Sequence, residues 1–173
     1  MRYFIGLGSN IAPRLHVPLM LQALLQFAPT LHVSRVVETA PVGVDGPPFL
    51  NAAVCFLSNL APHDLKTSFN ATETHLGRDR TAPSSKLTSR TADLDLLFWL
   101  DDGVPVVPAH LLPHEPYMRP ILLELLGSVG VATTAEIPLL PPGLALELDG
   151  IAFGTAPLTI SLADGHLVVF SAV

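Results

Sequence analysis

The stretch SRTADLDLLFWL, residues 89–100, decides how this chain is read. Leu94, Leu96, Leu97, Phe98, Trp99 and Leu100 are side chains favoured in buried pleats, so the stretch predicts a β-strand. Successive strand residues point to opposite faces, which puts Asp93 and Asp95 on the same one. Two carboxylates side by side repel unless a cation neutralises them or one of them keeps a proton. Magnesium suits such a pair, because it takes oxygen ligands and commonly binds one or two carboxylates together with substrate phosphates. A D-x-D motif alone is short enough to recur by accident, with Asp95 merely on a solvated sheet face.

Working outward from that strand gives an ordered set of elements. RYFIGLGSN opens with an apolar strand over 2–7 and ends in a glycine-rich turn. Its LGSN end has the makings of a backbone anion nest but lacks the spacing and lysine of a P-loop. Residues 15–27 carry apolar side chains at helical spacing, with Pro18 expected in the first turn. Residues 31–39 and 49–60 read as strands. Residues 61–77 read as a helix opened by Pro62 and closed by Gly77. A polar loop over 78–91 precedes the aspartate strand and is expected to be mobile until phosphates engage its arginines. A short helix over 121–127 follows. This β-α-β-β-α-β order predicts an α+β chain with a ferredoxin-like core, its two helices on one face of one sheet, over residues 1–130. Residues 131–173 contain LALELDG, PLTISLADG and HLVVFSA, short strands separated by Asp-Gly turns. They predict an added β-rich C-terminal segment, packed on the same domain or at a subunit interface.

Composition sets the surroundings. At 173 residues and 49% apolar content, the chain is long enough for a real core and too apolar for disorder. No apolar run is long enough for a membrane span, and Arg14 and His16 interrupt the N-terminal one, which argues against a signal peptide. The single cysteine, Cys55, lies in the apolar run AAVCFL and reads as a small buried residue. A cytoplasmic setting follows as the expectation. The net charge of −6 argues against a nucleic-acid partner, and the strands offer no basic sheet with surface aromatics for RNA.

Against that acidic background the arginines stand out. Of seven, Arg78, Arg80 and Arg90 crowd just before the paired aspartates, and guanidinium forks suit phosphate oxygens. Ordinary loop arginines are solvated; next to two metal-type carboxylates they make a magnesium-nucleotide site the better reading. His114 and Arg119 in PHEPYMRP have the chemistry for phosphate, although a lone histidine is more often a surface or packing residue. Phe49 and Asn51 share a strand face and could read a flat heterocycle by stacking and edge hydrogen bonds, or Asn51 could satisfy a neighbouring loop.

The motifs GLGSN, ETAPVG followed by PPFLNAAV, LGRDR, SRTADLDLLF and LPH occur in an order and spacing that resemble the 6-hydroxymethyl-7,8-dihydropterin pyrophosphokinase family over residues 3–127. The resemblance implies a ferredoxin-like fold and magnesium-dependent transfer of diphosphate from ATP to the hydroxymethyl group of a reduced pterin, leaving AMP. It implies two magnesium ions with ATP, held by Asp93 and Asp95, and catalytic roles for Arg78, Arg90, Asp93 and Asp95. ATP would meet Glu73, Arg78, Arg80, Arg90, His114 and Arg119. The pterin would meet Thr39, Val42, Phe49, Asn51 and Ile121. Leu87 stands where the family has a tryptophan, and Ile121 where it has a stacking phenylalanine, leaving one wall of the ring clamp to Tyr117 or Trp99. A paralogue acting on a modified pterin and a non-catalytic binding or assembly module are the alternatives. The chain is expected as a monomer or as a homodimer through its C-terminal segment.

Overall fold

The computed structural model describes residues 1–41, 46–79, 89–136 and 138–171. The positions expected for Val42, Arg80 and Leu87 lie outside them, as does most of the polar loop. In chain order the elements are β1 (Arg2–Ser9), α1 (Pro13–Leu24), β2 (Thr30–Val33), β3 (Val37–Thr39), β4 (Phe49–Leu57), α2 (Pro62–His75) and β5 (Asp93–Leu100). Then come α3 (Arg119–Ser128) and the strands β6 (Leu146–Leu148), β7 (Ile151–Phe153), β8 (Leu158–Ala163) and β9 (His166–Ser171).

The main sheet runs β5-β1-β4-β2-β8-β9, with β3 pairing the start of β4, and all its pairings are antiparallel. Its first four strands have the order of a split βαβ core, so the chain is α+β with a ferredoxin-like arrangement. β8 pairs β2 and β9 pairs β8, so the C-terminal segment lengthens the same sheet. The Asp149-Gly150 and Asp164-Gly165 pairs make the two C-terminal hairpin turns with positive φ throughout, the backbone that two-residue hairpins need.

Both faces of the sheet are covered. One core joins α1 and α2 to the sheet through Tyr3, Ile5, Leu7, Met20, Leu21, Leu65 and Phe69. The other lies on the opposite face, where Phe4, Ala53, Cys55 and Phe98 meet Ile121, Leu122 and Leu125 of α3. The expected pair of helices on one face is therefore only half of the packing; α3 builds a second layer.

Several boundaries differ from the sequence reading for clear reasons. β1 continues through Ser9, so Gly6 and Gly8 lie inside a strand and form no turn or nest. α1 begins at Pro13, which leaves Pro18 in the helix interior. The single strand expected over 31–39 is broken at Ser34, whose Oγ accepts the Ala53 N–H at 2.8 Å, while Val36 bonds instead to Gly154 and Leu144. The most consequential departure is in β5. The register slips where Phe4 pairs Phe98 but Ile5 pairs Leu96, a bulge that leaves Leu97 extra. Asp93 and Asp95 can then share a face with the apolar Phe98 and Leu100 further along the same strand.

Candidate active site

On the α3 side of the sheet, three neighbouring strands place a row of side chains in register. Gly8 on β1 lies between Asn51 on β4 and Asp93 on β5; one step on, Gly6 lies between Ala53 and Asp95. A Cβ on Gly8 would come within 3.2 Å of Asn51 Oδ1 and 3.7 Å of Asp93 Cβ. A Cβ on Gly6 would meet Met118 Cε at 3.0 Å. The glycines therefore clear the floor of a cleft on the central strand. Its lining comprises Gly6, Leu7, Gly8, Thr39, Ala40, Phe49, Asn51, Arg90, Asp93, Asp95, Tyr117 and Met118.

One end of the cleft is charged. α2 finishes in a Schellman turn: Gly77 adopts a φ of +87°, its N–H bonds to Thr74 O at 3.0 Å, and the Arg78 N–H bonds to Glu73 O at 2.9 Å. That turn sends Arg78 back across Glu73 towards β5. Its Nη1 lies 2.9 Å from Glu73 Oε1 and 2.5 Å from Asp93 Oδ1. Arg90 Nη1 donates to the other carboxylate oxygen of Asp93 at 2.6 Å. Glu73 is 1% exposed and also accepts the Leu94 N–H at 2.7 Å, so this buried carboxylate is satisfied from the start of β5. It sits behind Arg78 and does not line the cleft, unlike the direct nucleotide contact expected of it.

Charge counting then separates the two aspartates. Among the described residues, Glu73, Asp93 and Asp95 face Arg78 and Arg90, three carboxylates against two guanidinium groups. Asp93 takes both arginines. Asp95 has its carboxyl pushed up to about 6 by its desolvated position at the cleft floor, then by the negative charges of Asp93 and Glu73; Arg78 and Arg90 oppose these only in part. The residue keeps a solvent-facing surface, so a bound cation has access to it. The donor set is all oxygen and fits magnesium.

The other end is neutral. Asn51 is 4% exposed and donates from Nδ2 to Thr39 Oγ1 at 2.7 Å, across the β3–β4 pairing. Phe49 lies two residues before it on the same face, with the Arg90 guanidinium 6.0 Å from its ring centroid. Tyr117 and Met118 reach the cleft from the segment entering α3. Burial, and the charges of Glu115, Asp95 and Asp93, raise the Tyr117 hydroxyl above its ordinary pKa despite the opposing Arg90.

The structure thus brings Thr39, Phe49, Asn51, Arg90, Asp93 and Asp95 to one cleft, with Arg78 bracing it from behind. It does not bring Ile121, which is fully buried in the second core among Leu122, Leu125 and Phe98. That expectation is corrected: one turn into α3, the residue faces the sheet. His114 is exposed before α3, and Arg119 donates to Pro113 O at 3.0 Å; neither lines the cleft. Sequence reading missed Met118 and Asn10. Asn10 is 2% exposed, and its only sequence signal was its place after Gly8 and Ser9.

The sequence profile of the 7,8-dihydro-6-hydroxymethylpterin-pyrophosphokinase family matches residues 4–126. The 2-amino-4-hydroxy-6-hydroxymethyldihydropteridine pyrophosphokinase of Porphyromonas gingivalis is 36% identical over 144 residues, covering 78% of this chain and 95% of that protein. The protein of the same name from Bacillus subtilis is 34% identical over 131 residues, 73% of this chain and 76% of its own length. The mitochondrial folate synthesis bifunctional protein of Pisum sativum is 34% identical over 133 residues, 72% of this chain. The chain spans about a quarter of the length of that plant relative, 25%.

Proposed function

The chain belongs to the 7,8-dihydro-6-hydroxymethylpterin-pyrophosphokinase family, and from that premise we propose that its cleft transfers diphosphate from ATP to 6-hydroxymethyl-7,8-dihydropterin, a step in folate synthesis. The observation that carries the reading is the pairing of two unlike ends on one sheet face. A charged end with two neighbouring aspartates is separated by two glycines from a neutral, aromatic-and-amide end.

In this reading the heterocycle lies against Phe49, with Asn51 and Thr39 at its edge and Tyr117 as the second aromatic wall. The hydroxymethyl group then points along the cleft towards β5. Its oxygen forms a bond to the β-phosphorus of ATP and releases its proton to solvent, the bond from that phosphorus to the oxygen bridging the α-phosphate breaks, and AMP leaves with that oxygen. Asp93 and Asp95 would hold magnesium, which supplies charge neutralisation and orientation to the phosphate oxygens. Arg78 fixes the carboxylate of Asp93, and Arg90, between Asp93 and Phe49, lies where phosphate and ring meet. Positioning and electrostatics do most of the work in such a transfer. Two magnesium ions, phosphate contacts from Arg80, His114 and Arg119, and a cytoplasmic setting belong to the same proposal. Among the described residues no helix is long and apolar enough to cross a membrane.

The paralogue reading rested on Ile121 at the heterocycle, and its burial in the second core removes that basis. A non-catalytic module has no need of two neighbouring aspartates on one strand face. The test is AMP release from ATP with the reduced hydroxymethylpterin. Release that requires both the pterin and magnesium is expected; no release above the pterin-free rate would overturn the proposal.

A further inference from the structure

Along the cleft side of β1, three rows of side chains follow one another. Gly8 lies between Asn51 and Asp93, Gly6 between Ala53 and Asp95, and Phe4 between Cys55 and Phe98. The last row is solid core, where the Phe4 and Phe98 rings stack with centroids 4.6 Å apart. The middle row would leave a hollow, because Gly6 has no side chain and Ala53 only a methyl group. Met118 fills it. A Cβ on Gly6 would lie 3.0 Å from Met118 Cε and 3.6 Å from Met118 Sδ, with Leu97 Cδ2 at 3.3 Å.

Gly6 sits inside β1 with ordinary strand backbone, so no turn or positive φ calls for a glycine there. A glycine within a strand weakens it and often marks the close approach of another group. Here that group is the Met118 thioether, beside the extra residue of the β5 bulge. The Met118 backbone is pinned on both sides: its N–H bonds to Glu115 O at 3.1 Å, and its carbonyl accepts the Leu122 N–H at 3.0 Å. The side chain is the part that can move, through the rotatable bonds of a flexible thioether. Met118 belongs to the second core and also lines the cleft, so it is the wall where core ends and site begins.

We propose that Met118 is a specificity-determining residue: seated on Gly6, it closes the inner end of the cleft and limits the size of the group on the carbon that carries the acceptor hydroxyl. The inference rests on the proposed pyrophosphokinase activity, in which the hydroxymethyl group points towards β5. Met118 lies over the strand partner of Asp95, beside that path. A hydrogen on the reacting carbon clears the thioether, whereas a methyl group there pushes it back into the packed second core. The acceptor class is therefore a reduced pterin bearing a primary alcohol, with the secondary alcohol disfavoured.

The experiment measures AMP release by the full chain with magnesium and ATP, using 6-hydroxymethyl-7,8-dihydropterin and 6-(1-hydroxyethyl)-7,8-dihydropterin as acceptors. Its readout is the ratio of the two kcat/KM values. Comparing that ratio between wild type and variants cancels the intrinsic difference in reactivity between the two alcohols. In Met118→Ala the preference for the primary alcohol is expected to fall at least about tenfold, the low end of what one methyl group decides in an apolar pocket. Gly6→Ala pushes the thioether outwards and is expected to raise the preference by about threefold; it carries the test if Met118→Ala fails to fold. Combining the two substitutions should bring the preference to within about twofold of Met118→Ala alone, because the new methyl group then has no thioether to push. An unchanged ratio in a folded Met118→Ala overturns the inference. So does equal loss of activity on both acceptors, the result of a merely structural role, or a Gly6→Ala effect that persists undiminished without the thioether. A wild type that releases no AMP with either acceptor rejects the pyrophosphokinase reading itself, and this inference with it.

Discussion

The charged and neutral ends of the cleft are built by different physics from the same sheet. At the β5 end, Glu73, Arg78, Asp93 and Arg90 form an ion-pair network, and beside it Asp95 has its carboxyl pushed up to about 6. At the β4 end, one hydrogen bond from Asn51 to Thr39, a ring at Phe49 and the approach of Tyr117 define the surface. The first end is set by electrostatic balance, where removing one group leaves others uncompensated. The second is set by shape, where each group contributes nearly independently. Variants should therefore act as all-or-none on one side and by degrees on the other.

The largest effects are expected at the paired aspartates. Asp93→Ala and Asp95→Ala should each lower AMP release by about a thousandfold or more, the scale of losing an essential electrostatic partner. Their stabilities should diverge. Asp93→Ala removes the carboxylate that Arg78 and Arg90 share and should cost about 1–3 kcal/mol, whereas Asp95→Ala relieves repulsion and should leave the melting temperature unchanged or higher. Equal shifts in melting temperature for the two would erase the asymmetry between them.

Ile121→Phe comes next and probes the boundary between cleft and core. Adding bulk to this buried site should destabilise the fold by about 1–3 kcal/mol in denaturant melts, with the pterin KM unchanged. A lower pterin KM in this variant would return Ile121 to the heterocycle end.

Tyr117→Ala should raise the pterin KM by roughly two- to tenfold, the worth of an aromatic contact, and leave the ATP KM within twofold. Tyr117→Phe should restore it. Equal changes in both KM values would mean that the ends are not separable in the way described.

The smallest effect is a slope with pH. The Asp95 carboxyl holds its proton more tightly when folded, at about 6 against a reference value of 3.8. Its protonation therefore stabilises the apo fold fully below about pH 4, and that contribution fades as pH rises through about 6. Asp95→Asn should flatten this segment of the apo stability profile. A profile of the same slope in Asp95→Asn would assign it to another group.

Much of this was legible in the chain itself. The β-α-β-β-α-β order follows from apolar periodicity and from Pro62 and Gly77 at the ends of α2, and the C-terminal hairpins follow from the Asp-Gly turns. The common face of Asp93 and Asp95 follows from strand geometry alone. These are local properties, fixed by residues close in sequence. What only the tertiary structure decided depends on partners far along the chain. The bulge at Leu97 arises from pairing with β1, and it sets where the polar row ends and the core begins. The unequal fates of the two aspartates depend on the Schellman turn that returns Arg78 from α2. That the cleft meets Tyr117 and not Ile121 depends on how α3 lies against the sheet: Tyr117 sits in the segment before the helix, whereas Ile121 is inside it and turned into the second core. Asn10 is the extreme case: its partners are 37, 79 and 80 positions away, and no pattern near it in sequence encodes them.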